Sequence, residues 1–292
     1  MINNIKKKIE LSNLLEKIET DFDSTEIIEK LDKLHSKPKA HVIGITGSPG
    51  VGKSSLINKL VSYIRKKKKS VGIIAIDPSS EKTGGAILGD RTRFMLNPTD
   101  NNVFVRSMAS KNYLGGISEL TYPAMIVMRS IFDFLIIETV GVGQSEIFIK
   151  NLSDTVILGI QPGSGDSVQF MKSGIFEIPD VIVVTKSDIE SLSEITFSDL
   201  CASKSFFQNQ NEWDIKIIKT SSMQNSGFKL LFETLNLRWE WLKIEKRLCE
   251  LRNQQDIKWI HNSILKEFGN VGLQKIKNDF YYINSPFSKL IE

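Results

Sequence analysis

Residues 42–54 read VIGITGSPGVGKS, and this stretch constrains the fold more than any other in the chain. Within it, Gly47 to Ser54 (GSPGVGKS) satisfies the pattern G-x-x-x-x-G-K-[ST] in full. An apolar run leads in, and the amphipathic segment SSLINKLVSYIRKK leads out. Strand, glycine-rich turn and helix in that order predict a phosphate-binding loop. Glycines reach backbone conformations closed to other residues, so successive N–H groups can converge on an anion. The positive end of the following helix favours the same anion. The pattern therefore predicts a nucleotide-binding chain in which Gly47, Ser48, Pro49, Gly50, Val51, Gly52, Lys53, Ser54 and Ser55 surround the phosphates. Lys53 would bridge the outer phosphate oxygens, and the Ser54 hydroxyl would ligate Mg²⁺.

Composition sets the outer bounds. The 292 residues, 41% of them hydrophobic, suffice for one large α/β domain with helical appendages. A net charge of +4, from 38 basic and 34 acidic residues, argues for neither a nucleic-acid binder nor an enzyme of acidic substrates. The one dense basic run, Arg65 to Lys69, falls where a helix should end, and cations favour that end. Cys201 and Cys249 lie far apart, which predicts free thiols and a reducing compartment. The N-terminus lacks the apolar core of a signal peptide, and no stretch approaches the roughly 18 apolar residues that span a membrane. A cytoplasmic protein that engages neither membrane nor nucleic acid is the expectation.

Three segments follow from periodicity. Residues 1–37 carry helical spacing (Leu11, Leu14, Leu15, Ile18, then Ile27, Ile28, Leu31, Leu34) and predict two helices. Residues 38–225 alternate strands and helices. Predicted strands are 41–46, 71–76, 102–106, 134–139, 155–160, 180–185 and 214–219, and predicted helices are 54–68, 117–131, 145–152, 167–174 and 191–208. Several strands are near-continuous apolar runs, as parallel strands buried on both faces require. The expected fold is α/β, a doubly wound and mostly parallel sheet, with ligands at the carboxyl ends of its strands. Residues 226–292 form a helical extension, in which 228–252 reads as one long amphipathic helix that either packs on its own domain or forms an arm for a second subunit.

Each apolar run delivers a chemically pointed residue. VGIIAI is followed by Asp77 and a polar loop that continues through Asp90 to Arg91. FLII ends in Glu138, a carboxylate placed to hold Mg²⁺ or its water, and glycines follow at 141 and 143. Those glycines suit a loop that moves with the γ-phosphate. VIVV is followed by Thr185, Lys186, Ser187 and Asp188. The Asp188 carboxylate can accept from guanine N1–H and the 2-amino group, a donor pair that adenine lacks. IKIIK is followed by Thr220, Ser221 and Ser222, suited to closing over the base. Phosphate loop, Asp, E-x-x-G, T-K-x-D and S-S, in that order, predict a guanine-nucleotide switch that uses GTP/GDP and Mg²⁺. Gln144 is open between positioning water and starting a helix.

Here the chain resembles a known family. AIDPSSEKTGGAILGDRTRF, IIETVGVGQSE and GDSVQFMKSG look like the MeaB/ArgK/MMAA GTPases that accompany cobalamin-dependent methylmalonyl-CoA mutase. The similarity runs from about His41 to Ser222 and continues weakly beyond. It implies that Asp77 and Asp90 lie in a first switch and join Ser54 and Glu138 around Mg²⁺. It implies a third switch at 163–173, where Asp166, Gln169 and Lys172 couple nucleotide state to a partner, with Lys172 grouped with Lys53 and Glu138 in the catalytic set. It implies a homodimer built with the C-terminal arm, and a slow GTPase that gates adenosylcobalamin delivery to the mutase or a related acyl-CoA mutase. Two departures stand out. Thr185 replaces the usual Asn of N-K-x-D, keeping a hydrogen-bonding oxygen but not the amide donor, and the C-terminal arm is short.

Two rival enzymes and a non-enzyme compete with this reading. A small-molecule kinase needs an arginine-bearing lid, and 191–208 contains no Arg. A metal-insertion GTPase needs a Cys/His cluster, whereas His35, His41 and His261 are scattered. A module that binds nucleotide only for structure is separable by single-turnover hydrolysis. Arg91 and Arg106 are the candidates for an arginine finger.

Overall fold

The computed structural model describes residues 2–77, 94, 97, 99–109, 120–139, 148–163, 178–204, 213–275 and 285–291. Helices α1 (Ile2–Thr20) and α2 (Thr25–His35) precede strand β1 (His41–Gly47) and helix α3 (Lys53–Lys66). Then come β2 (Val71–Asp77), β3 (Val103–Ala109), α4 (Thr121–Ile131), β4 (Phe134–Glu138), β5 (Thr155–Ile160) and β6 (Val181–Val184). The chain continues through α5 (Glu190–Ser203), β7 (Lys216–Lys219), α6 (Phe228–Lys243), α7 (Arg247–Lys275) and α8 (Pro286–Ile291).

The seven strands form one sheet in the order β3-β2-β4-β1-β5-β6-β7, and every pairing is parallel. Such a sheet is stable only when both faces are covered, and the strand sequences meet that demand. Along β2, Val71, Ile73 and Ala75 enter one apolar cluster with α3 and α6, while Ile74 and Ile76 enter another with α1, α2, α4, α7 and α8. β4 splits in the same way, Phe134 and Ile136 against Leu135 and Ile137. Side chains that alternate at period two build both layers from one apolar run. A third, smaller cluster sets Leu200 of α5 against β5 and β6.

The predicted doubly wound parallel sheet is the observed one, and each predicted strand is present with ends shifted by a few residues. The predicted helix 167–174 lies outside the described residues, as do the first three residues of the predicted helix 145–152. One expectation fails. Residues 228–252 are two helices, broken at Ile244–Lys246, where Glu245 and Lys246 take φ of 53° and 62°. The break redirects α7 toward the amino ends of the strands. There Arg252 donates to both oxygens of buried Asp154, at 2.9 and 2.8 Å, and to Ala40 O. Gln255 caps the carbonyls of Lys150 and Ser153, and Asp256 takes the Tyr122 hydroxyl and His35 Nε2. Phe287 of α8 is fully buried against Tyr122, Trp259 and His35. The N-terminal helices, the sheet and the C-terminal helices thus share one core.

Candidate nucleotide site

The carboxyl ends of β1, β2, β4, β5 and β6 meet where the strand order reverses, the place a doubly wound sheet offers a ligand. From β1 the chain enters the phosphate loop. Gly50 and Gly52 hold φ of 78° and 97°, left-handed conformations that an L side chain resists, and Gly52 stands immediately before α3. The loop therefore places the N-terminus of α3, with its unpaired N–H groups, at the mouth of the cradle. Lys53 is 8% exposed, and its ammonium donates to Gly47 O at 2.7 Å and Ser48 O at 3.1 Å. The cation is held inside the loop by the loop's own carbonyls.

Ser54 and Glu138, both expected around a metal ion, are brought together. The Ser54 hydroxyl donates to Glu138 Oε1 at 3.1 Å, and Glu138 is 1% exposed. Glu138 ends β4 in register with Ile45 of β1 and Ala75 of β2. Asp77 closes β2 two residues beyond Ala75, on the same sheet edge. Next to Glu138, the buried Thr139 hydroxyl donates to Thr46 Oγ1 at 3.0 Å, fixing the strand end. A hydroxyl and a carboxylate at the mouth of a phosphate loop fit a hard, oxygen-seeking cation such as Mg²⁺. Asp90 lies outside the described residues, as do Gln144, Asp166, Gln169 and Lys172.

The base end is built from β6, β7 and their loops. Thr185 donates to Val51 O at 2.7 Å and lies 3.2 Å from Ile160 O. Lys186 takes a φ of 50°, and its ammonium donates to Gly50 O at 2.9 Å and Gln161 Oε1 at 2.8 Å. Ser187 N–H donates to Thr220 O, drawing the loop after β6 against the loop after β7. The Ser221 hydroxyl donates to Asp188 Oδ1 and accepts from Gln224 N–H at 3.0 Å. Thr185, Lys186, Asp188 and Ser221 are thus brought together, with the half-buried Ser222 next in line. Sequence reasoning missed Gln161. The available signal was its place as the polar residue ending the apolar run TVILGI, where the other strands also put their chemistry.

Both rival enzymes lose ground on the same geometry. His35 is bonded to Asp256 and His41 to Thr155, and His41 opens β1 at the end of the strand opposite the phosphate loop. Among the described residues, no three His, Cys, Asp or Glu side chains gather as a metal site, and Cys201 and Cys249 are free and exposed. Helix α5 carries no arginine. Arg106, a candidate finger, lies on β3 and is bound by Glu19 of α1 at 2.6 Å. Among the described residues, no helix is long and apolar enough to cross a membrane.

Comparison with known proteins agrees with this geometry. The family model described as methylmalonyl Co-A mutase-associated GTPase MeaB matches residues 12–274. A Pyrococcus horikoshii protein described as a GTPase is 36% identical over 288 residues, covering 95% of this chain and 90% of its own. A mitochondrial methylmalonic aciduria type A homolog of Caenorhabditis briggsae is 32% identical over 267 residues, 88% of this chain and 65% of that one. Among solved structures, a LAO/AO transport system kinase superposes with a TM-score of 0.70 at 20% identity, covering 99% of this chain and 96% of the other, which supports the fold. The chain belongs to the MeaB family of GTPases.

Proposed function

We propose that this GTPase binds GTP with Mg²⁺ and uses hydrolysis to gate adenosylcobalamin loading of methylmalonyl-CoA mutase or a related acyl-CoA mutase, protecting that enzyme from inactivation. The observation that carries the catalytic half is the Ser54–Glu138 pair at the mouth of the phosphate loop. Mg²⁺ held there, with Asp77 and Asp90 completing the shell, would neutralise charge that builds on the transferring phosphoryl group. Lys53, already inside the cradle, would turn from the Gly47 and Ser48 carbonyls to the outer phosphate oxygens. Asp188, steadied by Ser221, would accept from the guanine edge.

The family's association with the mutase, by its name, supports the client. Arg65, Arg106, Arg238, Arg247 and Arg252 are each paired with a carboxylate away from the phosphate loop. With no positioned cation supplied by these, intrinsic hydrolysis should be slow, below about 0.01 s⁻¹. Asp166, Gln169 and Lys172 are spaced three apart, so on a helix they share a face that reads the nucleotide and touches the mutase. The protein acts in the cytoplasm, as a homodimer that uses residues 226–292.

Single-turnover hydrolysis with and without a cobalamin-dependent acyl-CoA mutase tests the proposal. The mutase should accelerate the wild type, and Lys172→Ala should keep nucleotide affinity and intrinsic turnover while losing most of the stimulation. No stimulation of the wild type by any such mutase would defeat the client assignment. ATP bound as tightly as GTP in a calorimetric titration would defeat the base assignment.

A further inference from the structure

We infer that this chain reads guanine along its N1 and 2-amino edge and leaves N7 unread, so that 7-deazaguanine nucleotides bind it as well as guanine nucleotides do. The inference rests on the guanine-binding reading above and deepens it, assigning Thr185 as a residue that sets specificity by what it withholds.

Guanine N7 is an acceptor, so a protein reads it only with a donor. Thr185 stands immediately before Lys186 at the base end, and a threonine hydroxyl carries one hydrogen. That hydroxyl lies 2.7 Å from Val51 O and 3.2 Å from Ile160 O, two backbone acceptors, and Thr185 is 4% exposed. Its hydrogen is committed to the phosphate loop. Offering it to a base would strand a carbonyl inside a buried turn.

Four neighbouring donors are committed as well. The Lys186 ammonium is fixed between Gly50 O and Gln161 Oε1. The Ser221 hydroxyl serves Asp188, Ser221 N–H serves Ser226 O at 3.2 Å, and Ser187 N–H serves Thr220 O at 3.1 Å. Asp188 remains the acceptor for the Watson–Crick edge. Thr185 is accordingly a positioning residue: it ties Val51 of the phosphate loop to the ends of β5 and β6. An asparagine at 185 would differ in one respect that matters here. Its amide has two hydrogens, enough to keep the Val51 tie and also donate to N7.

The test is displacement of mant-GDP from the full chain by GDP and by 7-deaza-GDP, with Mg²⁺ present. In the wild type the two competitors should match within about twofold. Thr185→Asn should shift the ratio toward GDP by about tenfold, the yield of one added hydrogen bond. Thr185→Val, which cuts the tie to Val51, should weaken both competitors by a similar factor and leave their ratio near one, and Thr185→Ser should restore wild-type behaviour. A tenfold preference of the wild type for GDP would overturn the inference, as would a Thr185→Val protein that lost affinity for GDP but kept it for 7-deaza-GDP. Failure of mant-GDP to bind the wild type would overturn the guanine reading itself, a result distinct from either.

Discussion

Ser54 and Glu138, 84 residues apart in sequence, meet through a 3.1 Å hydrogen bond at the point where β1 and β4 deliver their loops. The meeting follows from register: Ile45, two residues short of the phosphate loop, lies opposite Glu138 in the parallel pair. A one-residue slip would turn Glu138 to the other face of the sheet.

Glu138→Ala and Lys53→Ala should each lower GTP turnover by at least about 100-fold, since each removes charge stabilisation at the transferring phosphoryl group. Glu138 belongs to none of the three apolar core clusters, so the fold should persist. Steady-state hydrolysis read beside circular dichroism checks this. Near-wild-type turnover with an unchanged spectrum would show the roles to be misplaced.

At the base end, Asp188→Asn should weaken GTP by roughly 2–4 kcal/mol, because a carboxylate that accepts two donors becomes an amide that presents one of its own. Ser221→Ala, removing the hydroxyl that holds Asp188 Oδ1, should cost about 1 kcal/mol. Calorimetric titration of both variants gives the comparison. A larger loss for Ser221→Ala than for Asp188→Asn would exchange their roles.

The candidate site was legible in sequence because its parts are local. Each lies within a few residues of an apolar strand, and the parallel sheet gathers all strand ends at one edge. GSPGVGKS, Glu138 and T-K-x-D therefore needed no long-range information. The opposite pole was illegible for the converse reason. Asp256 meets Tyr122 and His35 across 134 and 221 residues, and Arg252 meets Asp154 across 98. No periodicity encodes such pairs. The break at 244–246 was hidden too: no glycine or proline marks it, and two left-handed non-glycine residues persist only where the surrounding packing dictates them.

That packing makes a stability prediction. Burial alone would raise the Asp154 carboxyl, yet the Arg252 guanidinium and its hydrogen bonds hold it below the usual carboxylate range. Arg252→Ala should strand this buried charge and destabilise the protein by about 3–5 kcal/mol. Asp154→Asn combined with Arg252→Ala should cost clearly less than the two single changes added together. Urea unfolding of the four proteins closes the cycle, and strict additivity would show that the pair is not coupled.

The pH dependence should be set by His41. Burial pushes its pKa down to about 3; Asp154 opposes this, while Arg252, Arg238 and Lys243 add to it. The ring stacks on Trp239 at 4.6 Å, and Nε2 lies 2.7 Å from the Thr155 hydroxyl, so the neutral imidazole is the packed form. In the unfolded chain His41 titrates near the ordinary histidine value of 6.5. Between these values the unfolded state binds the extra proton, so stability is fully present above about pH 6.5 and falls as pH drops toward 3. The limiting slope for one such group is about 1.4 kcal/mol per pH unit. From about pH 5 to 6.5 the carboxylates with lowered values, Asp154 among them, stay ionised in both states, while Asp180, which burial raises, changes stability in the opposite sense, so the His41 variant makes the assignment. Urea midpoints measured at steps across that window should fall with pH in the wild type. His41→Gln, whose amide can still reach Thr155 but takes no proton, should flatten the profile even if it lowers stability throughout. A slope unchanged in the variant would assign the pH dependence to another group.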